Sequence, residues 1–237
     1  MNKLKTMLCA VFTLMLVNIS TIAQSDSGNF AGPYIGISAS GYGMQLAGSA
    51  STSPTATVLD VDEVSIGQVA PITGFEAGYV LPIGSAFLID IGASMYQGEA
   101  KLEFHEDSAA TATCAGCDAD VGGPKNVSFK IDNLVNYYIA PTIVLSDTSS
   151  LYVKVGLTEA DIGVTGDITT PGNLSGTTWA LGTRTVLESG IFIKTEAGYT
   201  DYNAISVHGL GTSVAVVNSY SADPVVAFGT VTLGFRF

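Results

Sequence analysis

The sequence predicts an all-β fold: an eight-stranded antiparallel up-and-down transmembrane β-barrel. Three observations carry this expectation. Successive runs of about ten residues alternate apolar with mixed side chains, the period of a strand whose two faces meet different media. The connections between these runs alternate long and tight along the chain. Mean hydropathy is +0.40 with only 13% charged residues, yet beyond the first two dozen residues no apolar run is long enough for a spanning helix. A barrel spreads its apolar residues over many strands, so none stands out. A β-sandwich buried on two inner faces is the soluble alternative. With 237 residues the chain is ample for a closed barrel and too apolar to be disordered.

Residues 1–23 are of another kind. Lys3 and Lys5 give a basic start, Met7 to Val17 an apolar centre, and Thr21-Ile22-Ala23 the small residues of a cleavage site, the three-part pattern of a secretory signal peptide. The expected division is therefore 1–23 signal peptide and 24–237 barrel domain. Cys9 does not mark a lipoprotein, because Leu8 precedes it where a small residue is wanted. The remaining chain would carry 7 basic residues (9 less Lys3 and Lys5) against 21 acidic ones, a net charge of −14 that disfavours nucleic acid as a partner.

The elements follow in order. Gly32 to Met44 sets Ile35, Ile37 and Ala39 on one face against Tyr34, Ser38, Ser40 and Tyr42. Gln45 to Val69, rich in Ser, Ala and Thr, reads as a long loop. The second run, Ile72 to Leu81, ends in a tight turn at Pro82-Ile83-Gly84-Ser85. A third begins at Phe87 and reaches as far as Phe104, before the polar connection His105 to Lys125. The fourth, Val127 to Leu145, places Phe129, Ile131, Val135, Tyr137 and Ile139 against Lys130, Asp132, Asn136 and Tyr138, with Pro141 as an unfavourable ladder residue. After the turn Ser146 to Ser149, the fifth runs from Leu151 and leaves the apolar layer by Glu159 and Asp161. The sixth, Thr177 to Leu187, follows the loop Gly166 to Ser175. Glu188-Ser189-Gly190 turns into the seventh, which starts at Ile191. Ser206 to Asp223 is a long loop, and Pro224 to Phe237 is the eighth run, with Val225, Val231, Leu233, Phe235 and Phe237 on its greasy face.

In an antiparallel meander alternate connections share an end, so the tight turns gather at one rim and four longer connections at the other. Outer-membrane barrels have this asymmetry, with short periplasmic turns and longer extracellular loops. A sandwich would scatter its loop lengths.

The mixed face of the runs carries nine charges: Glu76, Asp90, Lys130, Asp132, Lys154, Arg184, Lys194, Glu196 and Arg236. Buried charges must be paired or hydrated, and the interior of an eight-stranded barrel is just wide enough for side chains to fill. The expectation is a lumen filled by a charge network, which either seals the barrel or lines a narrow ion path. Trp179, Tyr199, Phe235 and Phe237 fall on the outward parity as candidate interface girdles.

The connections carry mostly acids, among them Asp60, Asp62, Glu63, Asp118, Asp120 and Asp167, whose simplest role is solubility and whose sharper one is a basic partner or divalent cations. Cys114 and Cys117 form a CxxC pair. A redox motif wants a helix start and structural zinc wants two further ligands, so a local disulfide in an exported loop is the favoured reading; intact mass with and without reductant separates these. His105 and His208 lie outside the strand cores, and no GxSxG or other catalytic constellation is visible. No enzyme activity, metal or cofactor is expected.

The leader, the GPYIGISASGYG opening, the eight alternating runs and the terminal LGFRF together resemble the small opacity-type, outer-membrane-protein-A-like β-barrels of Gram-negative bacteria, often called porin-like. The resemblance covers the whole chain after the leader and rests on layout. It implies residence in the cell outer membrane among its lipids. It also implies that Leu233, Phe235 and Phe237 act as the terminal signal read by the barrel-assembly machinery, although Thr232 stands where the pattern has a glycine. The function implied is a structural and surface-interaction role with an extracellular or host ligand taken through the loops; a narrow porin-like channel and, behind it, a lipid-modifying barrel enzyme are the alternatives.

Overall fold

A computed structural model describes residues 27–51, 66–98, 100–105, 126–165, 172–208 and 219–237. Its strands are β1 (Gly32–Ser51), β2 (Ile66–Pro82), β3 (Phe87–Gln97), β4 (Ala100–His105), β5 (Asn126–Val144), β6 (Ser149–Thr165), β7 (Leu174–Val186), β8 (Ile191–Tyr202), β9 (Ile205–His208) and β10 (Ser219–Arg236). No helix among the described residues is long and apolar enough to cross a membrane.

Neighbouring strands pair antiparallel in the order β1-β2-β3-β5-β6-β7-β8-β10, and β10 pairs back onto β1. β4 continues the β3 position against β5, and β9 continues β8 against β10. Counted by position, the fold is a closed eight-stranded barrel. The seam runs from Tyr34↔Arg236 to Ser51↔Ser219. Closure pairs each of the eight long strands on both sides, the condition for a sheet to stand in hydrocarbon.

Alternation sorts the side chains as the sequence pattern requires. Ile35, Ile37, Phe75, Leu157, Val231 and Leu233 point outward, with Phe75 62% and Leu157 66% exposed, while Tyr34, Tyr42, Tyr96, Tyr138 and Tyr152 are buried inside. In water this outer face would cost far more than isolated surface apolar residues do. Against lipid it costs nothing. Trp179 and Tyr199 face each other across β7 and β8 on the outer surface.

The three tight turns, 83–86, 145–148 and 187–190, lie at one rim beside Gly32 and Phe237, whose N–H donates to the Pro33 carbonyl at 3.0 Å. The strands extend further toward the opposite rim than expected. β1 runs to Ser51 and β2 starts at Ile66, inside the segment read as loop, and β10 starts at Ser219, ahead of the buried Pro224. Beyond the apolar band both faces of a strand meet polar surroundings, so ladder hydrogen bonds persist with no period to reveal them. Glu159 is exposed and Asp161 half-exposed within β6, consistent with a strand that has left the band before it ends.

Two irregularities in β5 have local causes. At Pro141 the pairing to β6 lapses between Ile139↔Val155 and Thr142↔Tyr152 without a change of register, because proline has no N–H to give. Between Asp132 and Val135 the register shifts, with three steps on β5 facing two on β6, and Asn133 takes a positive φ of 49°. This is a β-bulge, and Asn is among the residues that tolerate that backbone conformation. One extra residue reverses the parity of everything before it.

Candidate functional site

Among the described residues, charge, burial and alternation converge in the lumen. Six of the nine charges expected there form three ion pairs that bridge across it. Arg184 on β7 meets Asp90 on β3 at 2.5 Å, Lys194 on β8 meets Glu76 on β2 at 3.0 Å, and Lys154 on β6 meets Glu196 on β8. All six side chains are at least 94% buried.

Every carboxylate oxygen has a donor. Glu76 takes Lys194 on both oxygens, each at 3.0 Å. Asp90 accepts from Arg184 on one oxygen and from the Tyr34 hydroxyl, at 2.7 Å, on the other. Tyr34 has one proton and spends it there, so Tyr138, 2.6 Å away, donates to it. Glu196 accepts from Lys154 and, at 3.0 Å, from Tyr152. The cations also sit over aromatic faces: Lys194 lies 5.4 Å from the ring centres of both Tyr138 and Tyr152, and Arg184 4.6 Å from Tyr34. The layer is neutral, desolvated and paired, the arrangement that makes buried charge tolerable.

The tyrosines fit because each stands opposite a glycine on the adjacent strand: Tyr34 opposite Gly78, Tyr138 opposite Gly92, Tyr152 opposite Gly182. In a barrel this narrow the missing Cβ is where the ring goes.

Among the described residues, the rest of the interior is uncharged. Toward the long connections a ladder of hydroxyls, Thr200 to Thr178 at 2.7 Å and Thr178 to Thr158, receives the Asn136 amide on Thr158 at 2.7 Å. Above it lies an apolar cluster that includes Tyr42, Met44, Ile72, Leu174, Val226 and Phe228. At the turn rim a second cluster holds Phe30, Val80, Leu88, Val144, Val186 and Phe192 with Tyr34. The void beside Lys154, Asn136 and the threonines measures about 10 Å³, room for one water at most. The larger hollow, about 820 Å³, lies outside the barrel, where Ala77 and Ala93 sit low between Ile35, Phe75, Met95 and Tyr137. Its walls are almost wholly apolar and it opens to lipid, so it offers no chemistry.

Of the other three charges, Asp132 and Arg236 are placed otherwise. The bulge puts Lys130 opposite Gly163 and Asp132 opposite Asp161, off the inward parity of Ile162 and Ala160. Asp132 is half-exposed, and the Lys130 side chain is outside the described residues. Arg236 is half-exposed at the turn rim and donates to the carbonyls of Gly28 at 3.3 Å and Ala31 at 3.1 Å. The bulge breaks the parity that would have carried Asp132 inward, and Arg236 is held by backbone carbonyls that the sequence does not mark. Leu233, Phe235 and Phe237 all face outward beside the seam. Cys114 and Cys117 lie outside the described residues, and His105 and His208 are the last residues of β4 and β9.

Missed by the sequence reading were the apolar clusters at both ends of the lumen and the burial of Phe30. The first had a signal, since Ile72 and Val226 share the parity of the inward charges. The second had none beyond an aromatic in a polar lead.

The sequence matches the family model described as the outer membrane protein beta-barrel domain over residues 10–217. No curated protein matches it. Among solved structures, the outer membrane protein OprG from Pseudomonas aeruginosa is 11% identical, with a TM-score of 0.47 over 90% of this chain and 99% of OprG. Ail of Yersinia pestis, solved in complex with the heparin analogue sucrose octasulfate, is 10% identical, with a TM-score of 0.39 over 83% of this chain and 99% of Ail. The outer membrane protease OmpT from Escherichia coli is 8% identical, with a TM-score of 0.43 over 87% of this chain and 97% of OmpT. With a closed lipid-facing barrel and a family match over most of its length, this chain belongs to the outer membrane protein beta-barrel domain family and resides in the cell outer membrane.

Proposed function

We propose that the protein is a structural and surface-interaction barrel, sealed through its lumen and presenting its four longer connections at the extracellular rim, with residues 1–23 removed on export. The observation that carries this reading is the buried ion-pair layer, in which every carboxylate oxygen accepts a hydrogen bond, lying between apolar clusters at both ends. A hydrated ion needs a continuous wet path, and a neutral, desolvated layer of paired charges offers none. Planar bilayers containing the refolded protein are expected to show no reproducible openings. Regular conductance steps would reverse the reading in favour of a narrow channel, the alternative that the charged middle layer keeps in view. A ligand for the rim would be basic, because the acids in the long connections repel a polyanion. The Cys114–Cys117 pair is proposed as a disulfide in one of those connections.

The outward Leu233, Phe235 and Phe237 are proposed as the terminal assembly signal. Deleting Phe237 removes an exposed side chain and one terminal backbone hydrogen bond, to the Pro33 carbonyl, so the refolded barrel should lose only about 1 kcal/mol in vitro while the assembled fraction in cells falls several-fold. An unchanged assembled fraction in outer-membrane preparations would dismiss the role.

A further inference from the structure

The mouth ringed by the tight turns is filled by residues 27–31, just ahead of β1. Ser27–Asn29 forms one 3₁₀ turn, and Phe30 behind it is 1% exposed, in one apolar cluster with Val80, Leu88, Val144, Val186 and Phe192. Four hydrogen bonds tie this segment to three other elements. The Ser27 hydroxyl donates to the Gly84 carbonyl in the first turn at 2.8 Å, the Asn29 amide to the Asp147 carbonyl in the second at 3.1 Å, and Arg236 of β10 to the Gly28 and Ala31 carbonyls at 3.3 and 3.1 Å.

None of this is needed to close the barrel. The ladder starts at Gly32, and the backbone bonds of residues 27–31 are internal to the segment, Phe30 to Ser27 and Ala31 to Gly28. A lead with no role would trail into solvent. This one inserts an aromatic into the mouth and is held there from both turns and from the seam strand. We infer that residues 27–31 are a plug that closes the turn-rim mouth separately from the ion-pair layer above it.

Its mechanics follow from its bonding. The segment can withdraw without breaking a ladder hydrogen bond, whereas the ion pairs cannot separate without stranding buried charge. Because Arg236 belongs to the last strand, the plug is fully tied only against a closed seam. Withdrawal would expose the vestibule below Tyr34 and Phe192 without opening the lumen.

The inference rests on reading the lumen as sealed, and the test separates the two. In a chain whose own cysteines are replaced by serine, Val144→Cys reports access to the vestibule through its rate of labelling by a water-soluble methanethiosulfonate reagent. A heat-modifiability gel reports whether each variant has formed a barrel. Phe30→Ala removes the buried ring and is expected to speed labelling about ten- to hundredfold, with bilayer conductance still absent. Arg236→Ala keeps the ring and removes two of the four ties, and is expected to act in the same direction by less. Folded variants that label at the parent rate would overturn the plug; if Phe30→Ala does not fold, Arg236→Ala decides alone. Conductance in the parent protein would instead remove the sealed-lumen reading, and the comparison of labelling rates would still judge the plug.

Discussion

Replacing Lys194 by alanine is expected to lower the stability of the folded barrel by about 3–5 kcal/mol, read as a fall in the urea midpoint of protein refolded into lipid vesicles. The ammonium group is the donor to both oxygens of Glu76 and lies among the rings of Tyr34, Tyr138 and Tyr152. Its loss leaves a carboxylate that is 96% buried without its countercharge. The size of the effect comes from the stranded charge, not from the attraction lost. The double variant Lys194→Met with Glu76→Gln should therefore recover most of the midpoint, since replacing both partners removes the uncompensated charge. If Lys194→Ala leaves the midpoint in place, Glu76 is reached by water, and the sealed lumen falls with it.

Gly182→Val is expected to cost about 1–3 kcal/mol or to prevent refolding, the penalty of overpacking. A Cβ at Gly182 would stand 2.4 Å from the Tyr152 ring and hydroxyl and 2.6 Å from the Thr195 carbonyl oxygen. The ring cannot swing aside without giving up its hydrogen bond to Glu196 and its place under Lys194. Backbone on the other side cannot yield either. Gly229→Ala is the control: that glycine faces outward and an added Cβ meets nothing within 4 Å, so the urea midpoint should hold. A Gly182→Val protein as stable as its parent would mean that the glycines opposite the tyrosines are not there to make room.

The two predictions share a lesson about legibility. Lys194, Glu76, Arg184, Asp90, Lys154 and Glu196 were all marked by parity, because a charge recurring on one face of an otherwise apolar ladder has to point away from lipid. Their partners were not marked. Lys194 pairs with a residue 118 positions away, and nothing local selects Glu76 over Asp90. The tyrosine and glycine pairs were likewise visible only as separate inward residues. They become one device once the register sets Tyr152 beside Gly182. Asp132 shows the opposite failure. Its parity looked unbroken, yet Asn133 absorbs one residue, and sequence alternation carries no record of such an insertion when both faces have left the apolar band.

The sequence by itself determined the strand number, the antiparallel order, the two rims, the outward face and the charged character of the lumen. Each of these follows from the period of two and from connection lengths, which are local properties of the chain. Only the tertiary structure decided which charges meet across the lumen, where the strands end beyond the membrane, which way β5 faces before its bulge, and that Phe30 stops the mouth. These depend on barrel closure, which brings β8 opposite β2 and the first described residues against the last strand. Chain distance says nothing about such contacts.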